Sequence, residues 1–313
     1  MNNVLYVIIP CYNEEEVLPL TYRMFLDVLQ RLIREEKVGV NSRVLFVDDG
    51  SKDNTWNIIC NLSKQYSEII GIQQSRNRGH QNAVLAGLLD SIDKCDMAIT
   101  IDCDGQDDVD CIEKMVDKYH EGFDIVYGVR DNRNSDTIFK KYSAQSFYMI
   151  MKYLGVDIIY NHADYRLLSK NALEGLTKFQ EVNLFLRGLI PLIGFKYTKV
   201  YYQRNIRMAG ESHYPLRKMI SLALEGITSF SIRPLRIIIV VGFLVSFLSF
   251  GFGIWVVVGY FFSRTVSGWT SIVALLCFLC GIQLICLGII GEYIGKIYLE
   301  VKNRPKFIIS ART

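Results

Sequence analysis

The sequence predicts an α/β fold: a mostly parallel, Rossmann-like sheet, followed by an amphipathic helix and two long apolar helices. Three observations predict it. Short β-branched runs alternate with helix-length amphipathic stretches over roughly the first 130 residues, the signature of a parallel sheet covered on both faces. Several of these runs break abruptly into Pro, Asp or Gly, as a buried parallel strand does where its C-terminal end opens into a crevice. Hydrophobic residues make up 50% of the 313-residue chain, and past Ser231 they crowd into two uncharged stretches.

Val4–Ile9 is the first expected strand, ended by Pro10. A helix follows to about Glu36, with Asn13 as a candidate cap and Glu14 to Glu16 favouring its N-terminus. At a strand's carboxyl end, Tyr12 can stack on a base and Glu14 can bind a ribose hydroxyl. Arg43–Val47 is the second strand, ending in Asp48-Asp49-Gly50-Ser51, with Asp53 and Thr55 opening the next helix. A short strand near Ile70–Gln74 leads through Arg76-Asn77-Arg78-Gly79-His80 to a helix from about Ala83 to Ser91. Arg76 and Arg78 suit either a phosphate or a solvated turn.

The fourth strand is Ala98-Ile99-Thr100-Ile101, which runs into Asp102-Cys103-Asp104-Gly105-Gln106-Asp107-Asp108. On extended backbone Asp102 and Asp104 project to the same side. Two such carboxylates can share one hard cation, Mg²⁺ or Mn²⁺, with water and substrate phosphates completing the shell. An acidic loop after a strand is also a common surface feature. Asp48 and Asp49, expected on a neighbouring strand facing the same crevice, are candidates to accept hydrogen bonds from a base or ribose. Ile125–Val129 is the fifth strand and delivers Arg130.

Five short motifs stand in order: Pro10-x-Tyr12-Asn13-Glu14, Val47-Asp48-Asp49-Gly50-Ser51, Asn77-x-Gly79, Asp102-x-Asp104-x-Gln106 and Gly128-x-Arg130. Together they resemble the family-two glycosyltransferases of the GT-A fold. Asp164-Tyr165-Arg166-Leu167, Arg187-Gly188 and Arg207-x-x-Gly210-x-Ser212, followed by two apolar spans, narrow the resemblance to the polyprenyl-phosphate glycosyltransferases. These include bactoprenol glucosyltransferases and, more distantly, dolichol-phosphate-mannose synthase. The resemblance implies inverting transfer from a nucleotide diphosphate sugar, a UDP-sugar by analogy with bacterial relatives, to a polyprenyl phosphate such as undecaprenyl phosphate. It implies a metal on Asp104 with Asp102 and Gln106, and catalytic roles for Asp164, Asp104 and Arg130. Pro10, Tyr12, Glu14, Asp48, Asp49, Asp102, Gln106, Arg130, Arg207, Ser212 and His213 are then the donor-binding set. Asp164 falls beside the acceptor, orienting it or taking a residual proton, although pairing with Arg166 is a simpler role for it. His213 replaces the family's usual lysine, and a neutral imidazole supplies less charge to a diphosphate. A processive polysaccharide synthase or an idle membrane-anchored nucleotide-binding scaffold are the alternatives. The former generally carries an Arg-Trp signature that this chain lacks.

Asp131–Tyr160 is aromatic and basic, fitting either a membrane-interface helix or a core helix. Lys196–Ile206 reads as a hairpin arm, and Pro215–Ser231 as an amphipathic juxtamembrane helix whose Arg217 and Lys218 meet anionic headgroups. Ile237–Ser263 and Thr265–Gly291 contain no Asp, Glu, Lys or Arg, and each exceeds the roughly 20 residues needed to cross a bilayer. Arg233, Arg236, Lys296, Lys302, Arg304 and Lys306 flank the pair, while Arg264 alone occupies the turn. Both termini are therefore expected in the cytoplasm, at a bacterial inner membrane given the resemblance. The expected division is a catalytic domain over 1–212, a juxtamembrane helix over 213–234, a hairpin over 235–295 and a tail over 296–313. The tail, with its Phe307-Ile308-Ile309 centre, is a candidate strand for a neighbouring chain, and a symmetric homo-oligomer such as a tetramer suits this layout. A net charge of +3 gives no support for nucleic acid as a partner. Eight cysteines without metal-type spacing argue against a zinc site or disulfide framework.

Overall fold

The computed structural model describes residues 3–131, 162–181, 186–203, 231–261 and 268–313. Most of the Asp131–Tyr160 segment, Arg207, Ser212, His213 and the juxtamembrane stretch up to residue 230 lie outside them. The strands are β1 (Leu5–Cys11), β2 (Arg43–Asp48), β3 (Ile69–Gln74), β4 (Met97–Thr100), β5 (Ile125–Arg130), β6 (His162–Ser169), β7 (Tyr197–Tyr202) and β8 (Ile309–Arg312). They form one mixed sheet in the order β7-β5-β6-β4-β1-β2-β3-β8. The helices are α1 (Leu18–Arg34), α2 (Thr55–Gln65), α3 (His80–Ser91), α4 (Cys111–His120), α5 (Lys170–Thr177), α6 (Leu186–Leu192), α7 (Arg233–Phe261) and α8 (Trp269–Lys302).

Both faces of the central strands are apolar because both are covered, as the unbroken hydrophobic runs require. Leu5, Val7 and Ile9 of β1 pack with Phe25 and Leu29 of α1 and Met115 of α4. Tyr6 and Ile8 point the other way, into Val84 and Leu88 of α3 and Leu173 of α5. This two-sided core holds the C-terminal ends of β1, β2, β4 and β5 along one edge.

Several expectations are corrected. Pro10 does not end β1, which runs to Cys11 with Pro10 in register with Val47. Its missing N–H would point toward β4, whose pairing with β1 has already finished at Ile8–Thr100, so nothing is lost there. Asn13 does not cap α1. It adopts φ +54° and its side-chain oxygen accepts the Lys52 amide at 2.9 Å. The helix opens at Leu18 after a turn in which the Leu18 amide reaches the Glu14 carbonyl at 2.9 Å. β2 and β4 are not neighbours, because β1 lies between them. α3 starts at His80, not near Ala83.

The segment around Asp164 has no expected element in the sequence. It is the strand β6, antiparallel to both β4 and β5. β7 is not a hairpin arm, since its partner is β5, in parallel register. The tail does not seek another chain either. As β8 it pairs antiparallel with β3 of its own sheet, the Ser75 amide donating to Ile308 at 2.9 Å and the Thr313 amide to Gly71 at 3.1 Å. Arg312 also pairs with Asp90 of α3.

α7 and α8 are long and apolar enough to cross a membrane, over Arg233–Phe252 and Phe278–Lys302. Phe243, Phe247 and Phe250 are all exposed, which a helix immersed in hydrocarbon tolerates and one in water does not. α8 continues past Gly291 through Glu292, Lys296 and Glu300.

Truncation after Phe307 should uncover the outer edge of β3 and lower the unfolding free energy of the sheet by roughly 2–4 kcal/mol, at about 1 kcal/mol net per lost hydrogen bond. Chemical denaturation of the detergent-solubilised protein checks this, with an unchanged midpoint as the contrary result.

Candidate active site

The C-terminal ends of β1, β2, β4 and β5 meet the N-terminal end of β6 along one edge, where open α/β sheets bind ligands. Asp164 and Arg166, two apart on β6, share a face of the strand, and Arg166 Nη2 donates to Asp164 Oδ1. Arg187, the second residue of α6, completes a fork on the same carboxylate, with Nε to Oδ1 at 3.1 Å and Nη2 to Oδ2 at 2.8 Å. The Thr100 hydroxyl holds the Asp164 carbonyl at 2.6 Å. His80, at the first turn of α3, places Nε2 3.7 Å from both Asp164 Oδ2 and Asp102 Oδ1. One imidazole thus stands between the acidic loop and the arginine-bound carboxylate.

Burial by itself raises the pKa of Asp164, but the charges of Arg187 and Arg166, with the Arg187 hydrogen bonds, overcome that and hold it well below the usual carboxylate range. Asp164 is therefore a poor base, and its pairing with Arg166 is part of the structure. The Arg166 side chain is 1% exposed, and its Nε and Nη1 have no hydrogen-bond partner among the described residues. Asp164 is its counter-ion.

The acidic loop departs from the expected geometry. β4 stops at Thr100 and the chain turns through Cys103–Gly105, with Gly105 at φ +67°. The common-side argument for an extended strand therefore does not apply to Asp102 and Asp104. Asp104 instead accepts the Gln106 amide on Oδ1 at 3.0 Å. Burial raises the pKa of Asp102; His80 opposes this, and Asp107, Asp164 and Asp104 push it further up. Among the described residues no three His, Cys, Asp or Glu side chains converge on one point to hold a metal ion.

Asp48 and Asp49 are buried and already serve the protein. Asp48 accepts the Ser51 amide at 3.1 Å and the Gln73 side chain at 2.9 Å. Asp49 accepts the amides of Arg78 and Gly79, both at 2.8 Å. They form the wall of the crevice, carrying the loop that leads to His80. Gly50 makes this possible: its φ is +67°, and a Cβ there would lie 2.5 Å from the Arg76 backbone. Tyr12 is exposed beyond β1, and the Glu14 amide is held by the Thr55 hydroxyl at 2.9 Å. At the end of β5, Arg130 leans toward Asp107 and Tyr202.

His80, Asp107 and Tyr202 have no expected role from sequence, and Arg187 has only its place in the Arg187-Gly188 motif, because their partners lie far off along the chain.

Asp164→Asn should cost about 3–5 kcal/mol of stability, the usual penalty for stranding a buried charge, as read by denaturant unfolding. Because the native pKa of Asp164 is depressed, its contribution is present above the unfolded value near 4 and declines as pH falls below it. The wild type should therefore lose more stability on acidification below about pH 4 than the Asn variant does.

Residues 6–177 match the family model described as glycosyl transferase family 2, and residues 233–297 match that of the GtrB C-terminal hairpin. An uncharacterized glycosyltransferase of Bacillus subtilis, YkoT, is 48% identical over 98% of this chain and 91% of its own. The bactoprenol glucosyl transferase of Shigella phage SfX is 36% identical over 98% of both chains. A prophage bactoprenol glucosyl transferase homolog of Escherichia coli K12 is 36% identical over 97% of both. With these matches spanning nearly its full length, and with a GT-A-type sheet ending in two apolar helices, the chain belongs to glycosyl transferase family 2 and is a glycosyltransferase.

Proposed function

We propose that the enzyme transfers a hexose-type sugar from a UDP-sugar to a polyprenyl phosphate, with inversion, at the cytoplasmic face of a bacterial inner membrane. One observation carries this reading. At a single sheet edge an acidic loop faces a cationic wall, in a chain that also has two exposed apolar helices long enough to span a bilayer. The relatives named for a bactoprenol acceptor, matched end to end, support the same acceptor class.

The donor set suits a divalent ion, Mg²⁺ or Mn²⁺. Burial raises the pKa of Asp102, and the charges of Asp107, Asp164 and Asp104 add to that rise, so these carboxylates lie in one acidic neighbourhood; hard oxygen donors are what such ions prefer. Asp104, with Asp102 and Gln106, would hold the ion, while water and diphosphate oxygens complete its shell. When bound, it neutralises charge on the departing nucleotide diphosphate. Arg130 and Arg207 add positive charge for that leaving group. Tyr12 and Glu14 flank the base and ribose, and Asp48, Asp49 and Pro10 shape the wall beneath them. Ser212 and His213, which lie outside the described residues, are carried with the donor-binding set by the family resemblance.

The acceptor's phosphate oxygen is already anionic near neutral pH, so the reaction needs no strong base. Asp164, kept ionised by two guanidinium groups, fits an orienting role: it fixes Arg187 where the acceptor phosphate approaches.

Asp104→Ala should abolish transfer while leaving the fold and membrane insertion intact; near-normal turnover would reject the metal assignment. A panel of nucleotide sugars offered with undecaprenyl phosphate should give one lipid-linked sugar by mass spectrometry. Free sugar as the sole product would reject the acceptor class.

A further inference from the structure

The carboxylate of Asp107 lies outside every role described above. It follows Gln106 in the acidic loop, is 2% exposed, and meets the last residues of two strands. Tyr202, ending β7, donates its hydroxyl to Asp107 Oδ1 at 2.7 Å. Arg130, ending β5, brings Nη2 to 3.6 Å from that same oxygen and donates through Nε to the Tyr202 hydroxyl at 3.4 Å. The Tyr202 ring stands edge-on to Tyr165, centroids 5.3 Å apart, and its carbonyl accepts the Asp131 amide at 2.9 Å. Three segments far apart in sequence are thus stapled at one oxygen atom.

This is not how a buried ion pair is built for strength. The guanidinium stays beyond hydrogen-bond length from Asp107, and the near partner is a neutral phenol. A carboxylate enclosed this way is retained at a desolvation cost. What it gains is direction: Arg130 is drawn toward the acidic loop while 27% of its side chain stays exposed, close enough to Asp102 for their charges to interact.

We propose that Asp107 is a positioning residue, which through its own charge and the Tyr202 hydroxyl sets where the Arg130 guanidinium meets the donor diphosphate. The inference rests on the nucleotide-sugar reading above and adds a residue to it. It also explains why Tyr202 lies where it does, at the strand end from which the chain continues toward Arg207.

The test is a double-mutant cycle read by calorimetric titration of UDP with Mn²⁺ into the full-length protein in detergent, with thermal midpoints measured alongside. Asp107→Asn keeps an acceptor for Tyr202 but removes the charge, and should weaken UDP binding about tenfold. Arg130→Ala should weaken it at least as much, and adding Asp107→Asn to Arg130→Ala should weaken it no further. Tyr202→Phe keeps the ring on Tyr165 and should show the same dependence on Arg130, which maintains the test if Asp107→Asn fails to fold. Wild-type affinity in both single variants overturns the inference. So does a penalty that recurs in full on the Arg130→Ala background, the result a purely structural role gives. If the wild type itself takes up no UDP with Mn²⁺, the nucleotide-sugar reading falls and this inference with it; binding with an additive cycle removes this inference alone.

Discussion

The site depends on one electrostatic constraint: the guanidinium of Arg166 is inside the sheet and must have a counter-ion. Asp164, two residues earlier on the same face of β6, supplies it. A buried charge left alone is far costlier than a paired one, so β6 can pack between β4 and β5 only with Asp164 turned toward Arg166. Once there, that carboxylate recruits Arg187 from α6 and lies beside His80 from α3. A requirement of folding therefore assembles the cationic wall, and the proposed chemistry uses a geometry that stability already demands.

The same logic separates what was legible in the sequence from what was not. β1, β2, β4 and β5 were legible because strands buried on both faces read as continuous apolar runs, and their ends were marked by Pro, Asp or Gly. β6 was not, because its buried Asp164 and Arg166 interrupt the apolar pattern that reveals a strand; only the pairing of the two residues makes their burial possible. β8 was misassigned for another reason. Four residues with one half-covered face do not announce a partner, and the partner strand lies more than 230 positions upstream. The acidic loop follows the expected strand, but an extended strand's alternation does not hold past Thr100, where β4 ends.

Several polar residues expected to touch a ligand also serve as scaffolding. Asp48 and Asp49 sit where a base or ribose could be read, yet their oxygens engage Ser51, Gln73, Arg78 and Gly79. The second of these links matters most. By gripping the amides just before α3, Asp49 fixes where His80 enters, and Gly50 leaves the room that the Arg76 backbone needs. A motif that looks like a binding signature is here also the joint between β2 and the loop that bears His80.

The tail adds a constraint on distance. Six residues separate the end of α8 at Lys302 from the start of β8 at Ile309, and the seven steps between those two residues span at most about 25 Å. Because β8 is hydrogen-bonded to β3 and Arg312 is paired with Asp90 of α3, the end of the second apolar helix is tied to the helix whose first turn carries His80. The sheet cannot drift from the end of this apolar helix by more than that reach on this side. In the proposed reaction one substrate is soluble and the other is fixed in a bilayer, so the freedom most costly to catalysis is the distance between the cleft and the lipid surface. A short strand at the sheet's edge restricts that freedom without contacting either substrate.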